Sequence, residues 1–251
     1  TLTSLTYTVE SVDSVNPTIY WTGSGDGVNW ESDANWSGNL APGSIGNGTT
    51  SVYVVVDGIS PVNLNSIVDS LLGIQVTGDE FRINTGGILN VNGDFLSATD
   101  LFINGTGTIT GSGTWHNLGF AAMSGSNHNI SISNIDNYAS LYWAQLTPVA
   151  ANLTLGSVFN NWGSTLFITP SSTSNNVSLT GGFTNHGYFQ ASTTNPLNLT
   201  GTFSNDIGAE INITEGNVNL NTTTSNLNGL INVNVGSVLG LTGGTLSLIH
   251  I

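Results

Sequence analysis

The chain has 251 residues, no cysteine, and fifteen Asp and Glu against a single basic residue, Arg82, for a formal charge of −14. That balance repels phosphate and anionic lipid, which argues against nucleic acid and acidic membrane surfaces as partners. The missing cysteines remove disulfide frameworks, thiol chemistry and Cys-ligated zinc, and no apolar run has the length that crossing a bilayer requires, so no membrane insertion is expected.

Only 6% of residues are charged while 38% are apolar, too apolar for an acidic disordered tail. Thr, Ser, Asn and Gly supply the polarity. Thr, Val and Ile favour pleated surfaces, and the Lys and Glu of exposed helices are scarce. The expectation is an all-β protein of an extracellular or bacterial cell-surface setting.

Residues 1–61 form an N-terminal cap region. They hold Trp21, Trp30 and Trp36, the glycines Gly23, Gly25 and Gly27, and six of the fifteen acids. The three Trp are read as the small core of a cap in preference to a sugar-stacking platform. Asp26, Glu31 and Asp33 offer hard oxygen ligands of the kind calcium takes. The segment lacks both the EF-hand spacing and the glycine-rich calcium repeats, so the preferred reading is a turn exposing its acids. No dinucleotide fingerprint is present, and Val52–Val56 reads as a buried strand.

From 62 to 251 the chain reads as short alternating strands. Asn65–Leu72 is the best helical candidate and a weak one. Leu89, Val91, Gly93 and Phe95 share one parity, repeated twenty places on by Ile109, Gly111, Gly113 and Trp115. Similar pairs follow at Ile130/Ile132, Leu153/Leu155, Val177/Leu179, Leu197/Leu199 and Val218/Leu220, each facing one way with polar neighbours facing the other.

Across this alternation runs a longer period. Asn117, Asn137, Asn161, Asn185 and Asn205 follow one another at steps of 20, 24, 24 and 20 residues. Trp115, Ile135, Phe159, Phe183 and Phe203 stand two places before them. Gly119, Ala139, Gly163 and Gly187 stand two places after. Units of this length that cannot bury their apolar face alone do so by stacking. Asn suits the corner because it tolerates left-handed backbone and because its amide can bond to the same amide one winding away. The following Gly is expected to relieve the turn. A match of Leu197–Ile213 onto Val218–Asn234 predicts a sixth unit with Asn226 in the ladder. Leu239-Gly-Leu241 opens a further winding, so the array is expected to be truncated at its C-terminus.

The segment Trp21-Thr-Gly-Ser-Gly-Asp-Gly-Val-Asn-Trp30, with Asp33-Ala-Asn35-Trp36-Ser-Gly and Pro42, resembles a signature of large bacterial surface proteins. There it precedes a β-solenoid of the adhesin, hemagglutinin-like or autotransporter-passenger kind. Val62-Asn-Leu-Asn65 and Gly87-Ile-Leu-Asn-Val-Asn-Gly93 are similar to the repeats of those proteins. The resemblance implies a secreted, right-handed parallel β-helix, used as a stalk or adhesive surface, and supplies no catalytic residues.

Candidate chemistry is sparse. Asp136, Asp206, Glu210 and Glu215 do not share a phase, so a paired-carboxylate hydrolase site is not expected among them. Arg82 beside Asp79 and Glu80 reads as a surface ion pair. His116 and His186 read as solvated outer-face residues; His128 and His250 carry no motif. Catalytic, cofactor and metal residues are therefore assigned as none, and no cofactor is expected. The expected function is a non-catalytic adhesin or structural stalk meeting host, matrix or cell-surface glycans or proteins. The stretches 119–129 and 170–176 are its expected contact loops. The alternative is a carbohydrate-active β-helix, polysaccharide-cleaving or glycan-binding, whose site lies outside this segment or near Asp79 to Asp100, with Asp79, Asp94 and Asp100 as the acids to test.

Overall fold

Strands that alternate apolar and polar residues bury one face only if a second surface covers it, and here the covering surface is the chain's own next winding. The computed structural model describes residues 17–43, 51–125, 127–144, 152–169 and 175–242. They form a parallel β-solenoid of about eight turns. One sheet runs from Thr18–Tyr20 and Tyr53–Val56 through Gly73–Val76, Asp94–Ser97, Thr108–Asn117 and Asn127–Asn137 to Asn175–Asn185, Leu197–Asn205, Asn217–Leu227 and Val238–Leu241. The second stacks Val62–Leu64, Glu80–Ile83, Asp100–Asn104, Phe120–Ser124, Ser140–Ala144, Ser164–Thr169, Tyr188–Thr193, Glu210–Glu215 and Leu230–Val233. The strands at 18–20 and 53–56, which precede residue 62, extend the same parallel sheet as the repeats. The 65–72 stretch is no helix: Ile67–Leu71 is a strand.

The register places like on like. Phe159 pairs with Phe183 and Phe183 with Phe203, with ring centroids 4.8 and 4.9 Å apart. Phe189 of the second sheet meets Phe183 at 5.8 Å and Phe203 at 5.5 Å, closing the interior between the sheets. All of these rings are buried.

The expected ladder is present and wholly buried. Asn117 Nδ2 donates to Asn137 Oδ1 at 2.7 Å, Asn137 to Asn161 at 2.8 Å, Asn161 to Asn185 at 2.8 Å, and Asn185 to Asn205 at 2.7 Å. Each Nδ2 also donates to a carbonyl at the start of a second-sheet strand: Ser140, Ser164, Tyr188 and Glu210, at 2.9 to 3.1 Å. The amides therefore tie winding to winding and sheet to sheet.

Three details of the sequence reading change. Left-handed backbone has no part in the ladder, because the positive-φ residues other than Gly among those described are Asn39, Ser51 and Ser70. The glycine two places on serves close approach: a Cβ on Gly163 would stand 2.1 Å from the carbonyl oxygen of Ala139. The sixth unit does not put Asn226 in the ladder. A register shift between Gly201 and Thr202 pairs Ser204 with Asn226 and Asn205 with Leu227. Leu227 is buried where an Asn was expected.

The Trp-rich segment is a clasp. Trp36 lies edge-on to Trp21 at 4.9 Å and to Trp30 at 4.5 Å, and its Nε1 donates to the Trp30 carbonyl at 2.7 Å. Buried Asn35 is fully bonded. Its Oδ1 accepts from Gly25 N and Gly27 N, and its Nδ2 donates to Asp26 Oδ1 and the Asn29 carbonyl.

The ladder predicts a contrast between inner and outer amides. Asn161→Ala strands Asn185 Oδ1 and one Asn137 N–H in the interior, at about 1–3 kcal/mol for each buried group left unpaired. Asn176→Ala, in an exposed row, should stay within about 0.5 kcal/mol. Urea denaturation measures both, and equal losses would remove the ladder from its structural role.

Candidate functional site

Because each ladder Asn points inward, its neighbours on either side point out. One place before the ladder the column reads Leu96, His116, Asp136, Asn160. One place after, Tyr138, Trp162, His186 and Asp206 each donate their backbone N–H to the ladder carbonyl of the preceding winding. Together they make an outer strip along one corner of the solenoid.

His116 lies between two carboxylates, with Asp94 Oδ1 3.6 Å from Nε2 and Asp136 Oδ2 3.6 Å from Nδ1. Asp136 Oδ1 accepts from Asn160 Nδ2 at 2.9 Å. Burial, and then the charge of Asp136, raise the Tyr138 phenol above its ordinary pKa. Further along, Trp162 and His186 stack with centroids 3.8 Å apart and planes 12° from parallel. Asp206 Oδ2 holds His186 Nδ1 at 2.6 Å. Trp162 is 50% exposed; the other five Trp are at most 5% exposed.

The strip does not repeat one site. His116 precedes its ladder Asn and His186 follows its own, so they fall in different columns, whereas their sequence neighbourhoods make them look equivalent. Asp136 and Asp206 stand three windings apart, roughly 14 Å at the strand spacing, beyond the separation of a glycosidase carboxylate pair. Asp94 belongs to the first sheet and Asp100 to the second, where its register partner is Glu80. Asp79 sits in the turn before that strand, its carbonyl accepting from Thr99 Oγ1. Arg82 is engaged by Glu80 through Nε and Oε1. Among the described residues no group of three or more His, Asp or Glu is arranged to hold a metal ion.

The acids of the clasp are likewise committed. Asp26 accepts from the Val28 and Asn29 backbone and from the Asn29 and Asn35 amides, and these bonds hold its carboxyl far below the usual range. Glu31 accepts from Asn65 N at 2.6 Å and Asp33 from Ala41 N at 2.8 Å.

Comparison with protein-family models, with curated proteins and with solved structures finds no match. No helix among the described residues is long and apolar enough to cross a membrane. Of the two expected contact loops, 170–174 lies outside the described residues. The 119–129 stretch is no loop, because Phe120–Ser124 is a second-sheet strand and Asn127 begins a first-sheet one. His250 also lies outside the described residues. Trp162 was missed because the periodic pattern singles out inward positions; its place directly after Asn161 was the available signal.

His128 is the one described histidine that faces inward. It is 3% exposed, pairs in register with Leu153, and neither ring nitrogen has a hydrogen-bond partner of normal geometry. It borders an open groove of about 610 Å³ lined by Thr106, Thr108, Asn129, Asn152 and Thr154. Burial lowers its pKa, outweighing an upward pull from the Gly107 and Ser124 backbone.

The folded chain therefore binds fewer protons than the unfolded one once pH falls below about 6.5, the unperturbed value. Stability present above that pH is lost on acidification until the depressed folded pKa is passed. Between pH 7 and pH 5 the thermal midpoint should fall more for the natural chain than for His128→Leu. Identical pH profiles would contradict the burial argument.

Proposed function

We propose that the chain is a non-catalytic, secreted or cell-surface β-solenoid module that acts as an adhesin or structural stalk. The observation that carries this reading is the outward amide row Asn127, Asn152, Asn176, Asn198 and Asn219, exposed at its first three members and half-buried at its last two. Each amide donates to the one before it at 2.9 to 3.2 Å. Such a row offers neutral hydrogen-bonding groups at a fixed spacing over several windings. It is a surface for extended contact, unlike the concave, convergent site that turnover of a small substrate calls for.

The acids support the same reading. Glu80 engages Arg82, Glu210 accepts from Asn232 Nδ2, and Asp206 is paired with His186. Carboxylates spread along the stack in this way suit solubility and spacing better than acid–base catalysis. The resemblance of the Trp21–Pro42 segment to surface-protein signatures points in the same direction.

The test sets retention against turnover. The purified chain should be retained on cell-, matrix- or glycan-coated surfaces and should release neither reducing sugar nor unsaturated product from a panel of polysaccharides. Product release that disappears in Asp79→Asn, Asp94→Asn or Asp100→Asn would replace the stalk with the carbohydrate-cleaving alternative.

A further inference from the structure

The outer strip contains a feature that stability does not require. Five Trp are at most 5% exposed, yet Trp162 keeps half its surface in water. One face of its indole rests on the His186 imidazole, and that imidazole is fixed by Asp206. The half still in water lies away from that stack. Tyr138 stands one winding back on that open side, and no ring contact joins it to Trp162 among the described residues. The ring is thus held flat, with His186 its one ring partner among the described residues.

Two hydrogen-bonding residues stand beside it in sequence and register. Asn160 lies two places earlier on the same strand, Val158–Asn161 and its continuation, and so shares the outward face. Asp136 bonds Asn160 from one winding back. A flat apolar face bordered by a few fixed polar groups is how a protein takes a ring that is apolar on its faces and hydroxylated at its rim. The carboxylates of Asp136 and Asp206, on a chain of net charge −14, disfavour uronic or sulfated sugars.

We infer that the open face of Trp162 is a stacking site for a pyranose ring of a neutral glycan, with Asn160 and Asp136 bonding its hydroxyls. This deepens the adhesive reading proposed above and rests on it. His186 and Asp206 act as positioning residues: they back the indole and fix its plane. A peptide or protein partner at the same ledge is the competing occupant. It lacks an argument from the polar rim, which suits a hydroxylated ring.

Trp162 is itself the probe, because the other Trp are shielded from aqueous quenchers. Cellohexaose, xylohexaose and chitohexaose are titrated into the full chain, with tetragalacturonate as the acidic control. Intrinsic fluorescence, acrylamide quenching and calorimetry provide the readout. At least one neutral oligosaccharide should shift the emission and protect it from acrylamide. Trp162→Ala should weaken binding about tenfold or more, as loss of an aromatic anchor does, and Trp162→Phe should retain part of it. The half-exposed position leaves the thermal midpoint of both variants close to that of the natural chain.

The inference is overturned if no neutral oligosaccharide binds, if Trp162→Ala binds as well as the natural chain, or if tetragalacturonate binds best. Failure here and failure of the parent reading separate cleanly. If Trp162→Ala is still retained on surfaces while the oligosaccharides are silent, the ledge is lost and the adhesive role stands. If polysaccharide is cleaved, the parent reading is lost whatever Trp162 does.

Discussion

The constraint on which the rest of the structure depends is the saturation of four buried amides, Asn117, Asn137, Asn161 and Asn185. A primary amide carries two donors and an acceptor that must all be met once water is gone. In Asn137, Asn161 and Asn185 the Oδ1 takes the amide before, one N–H reaches the amide after, and the other reaches the opening carbonyl of a second-sheet strand. Neither sheet can slide against the other, or against the next winding, without breaking one of these bonds. Each broken bond would leave a group stranded in a dry interior. The apolar interior supplies most of the stabilisation; the amides decide which of many apolar arrangements is adopted.

Outside the corner, the same stacking explains the composition. Parallel in-register windings set equivalent side chains about 4.8 Å apart, so a charge repeated from one winding to the next would repel itself along the whole column. Neutral Asn, Thr and Ser carry no such penalty, and amide rows even gain from the repeat. Several of the charges that do occur have a counterpart beside them. His116 sits between Asp94 and Asp136, and His186 faces Asp206. Glu80 and Asp100 are the like-charged exception, register partners in adjacent windings, and the chain's single Arg, Arg82, is held at Glu80. A charged fraction of 6% is then what this architecture requires of its surface, independent of any partner.

Much of the architecture was legible because inward positions obey a period. The phase of Asn117 to Asn205, the aromatic two places before and the alternation of the strands all report burial, and burial repeats. What lacked a period stayed hidden. One inserted residue in the strand Asn217–Leu227 moves Leu227 into the place that spacing gave to Asn226, and no composition signal marks such a shift. The reason for Gly163 was misjudged because a sequence gives no view of the Ala139 carbonyl one winding away. Asp26 reads as a candidate calcium ligand until the four N–H groups aimed at it are seen. Trp162, the centre of the candidate site, points outward, where neighbouring windings differ and no repeat draws attention to it.

The ends of the amide ladder show how a polar row can begin and stop inside an apolar core. The same column is occupied by Val56 and Val76 in earlier windings and by Leu227 in a later one. At the start, Ser97 mediates: its hydroxyl accepts from Trp115 Nε1 at 2.8 Å and donates to Asn117 Oδ1 at 3.2 Å. The first amide is therefore not left facing Val76. At the finish, Asn205 Nδ2 turns to the Leu230 carbonyl at 3.4 Å, a longer bond than those within the row. Leu227 asks for no partner. A slip by one winding at the start of the row would set an amide against Val76 and break the bond from Ser97. A uniform column of valines would tolerate that slip. The transition from valine through serine to asparagine and on to leucine marks the two ends of the row, which a stack of near-identical repeats otherwise lacks.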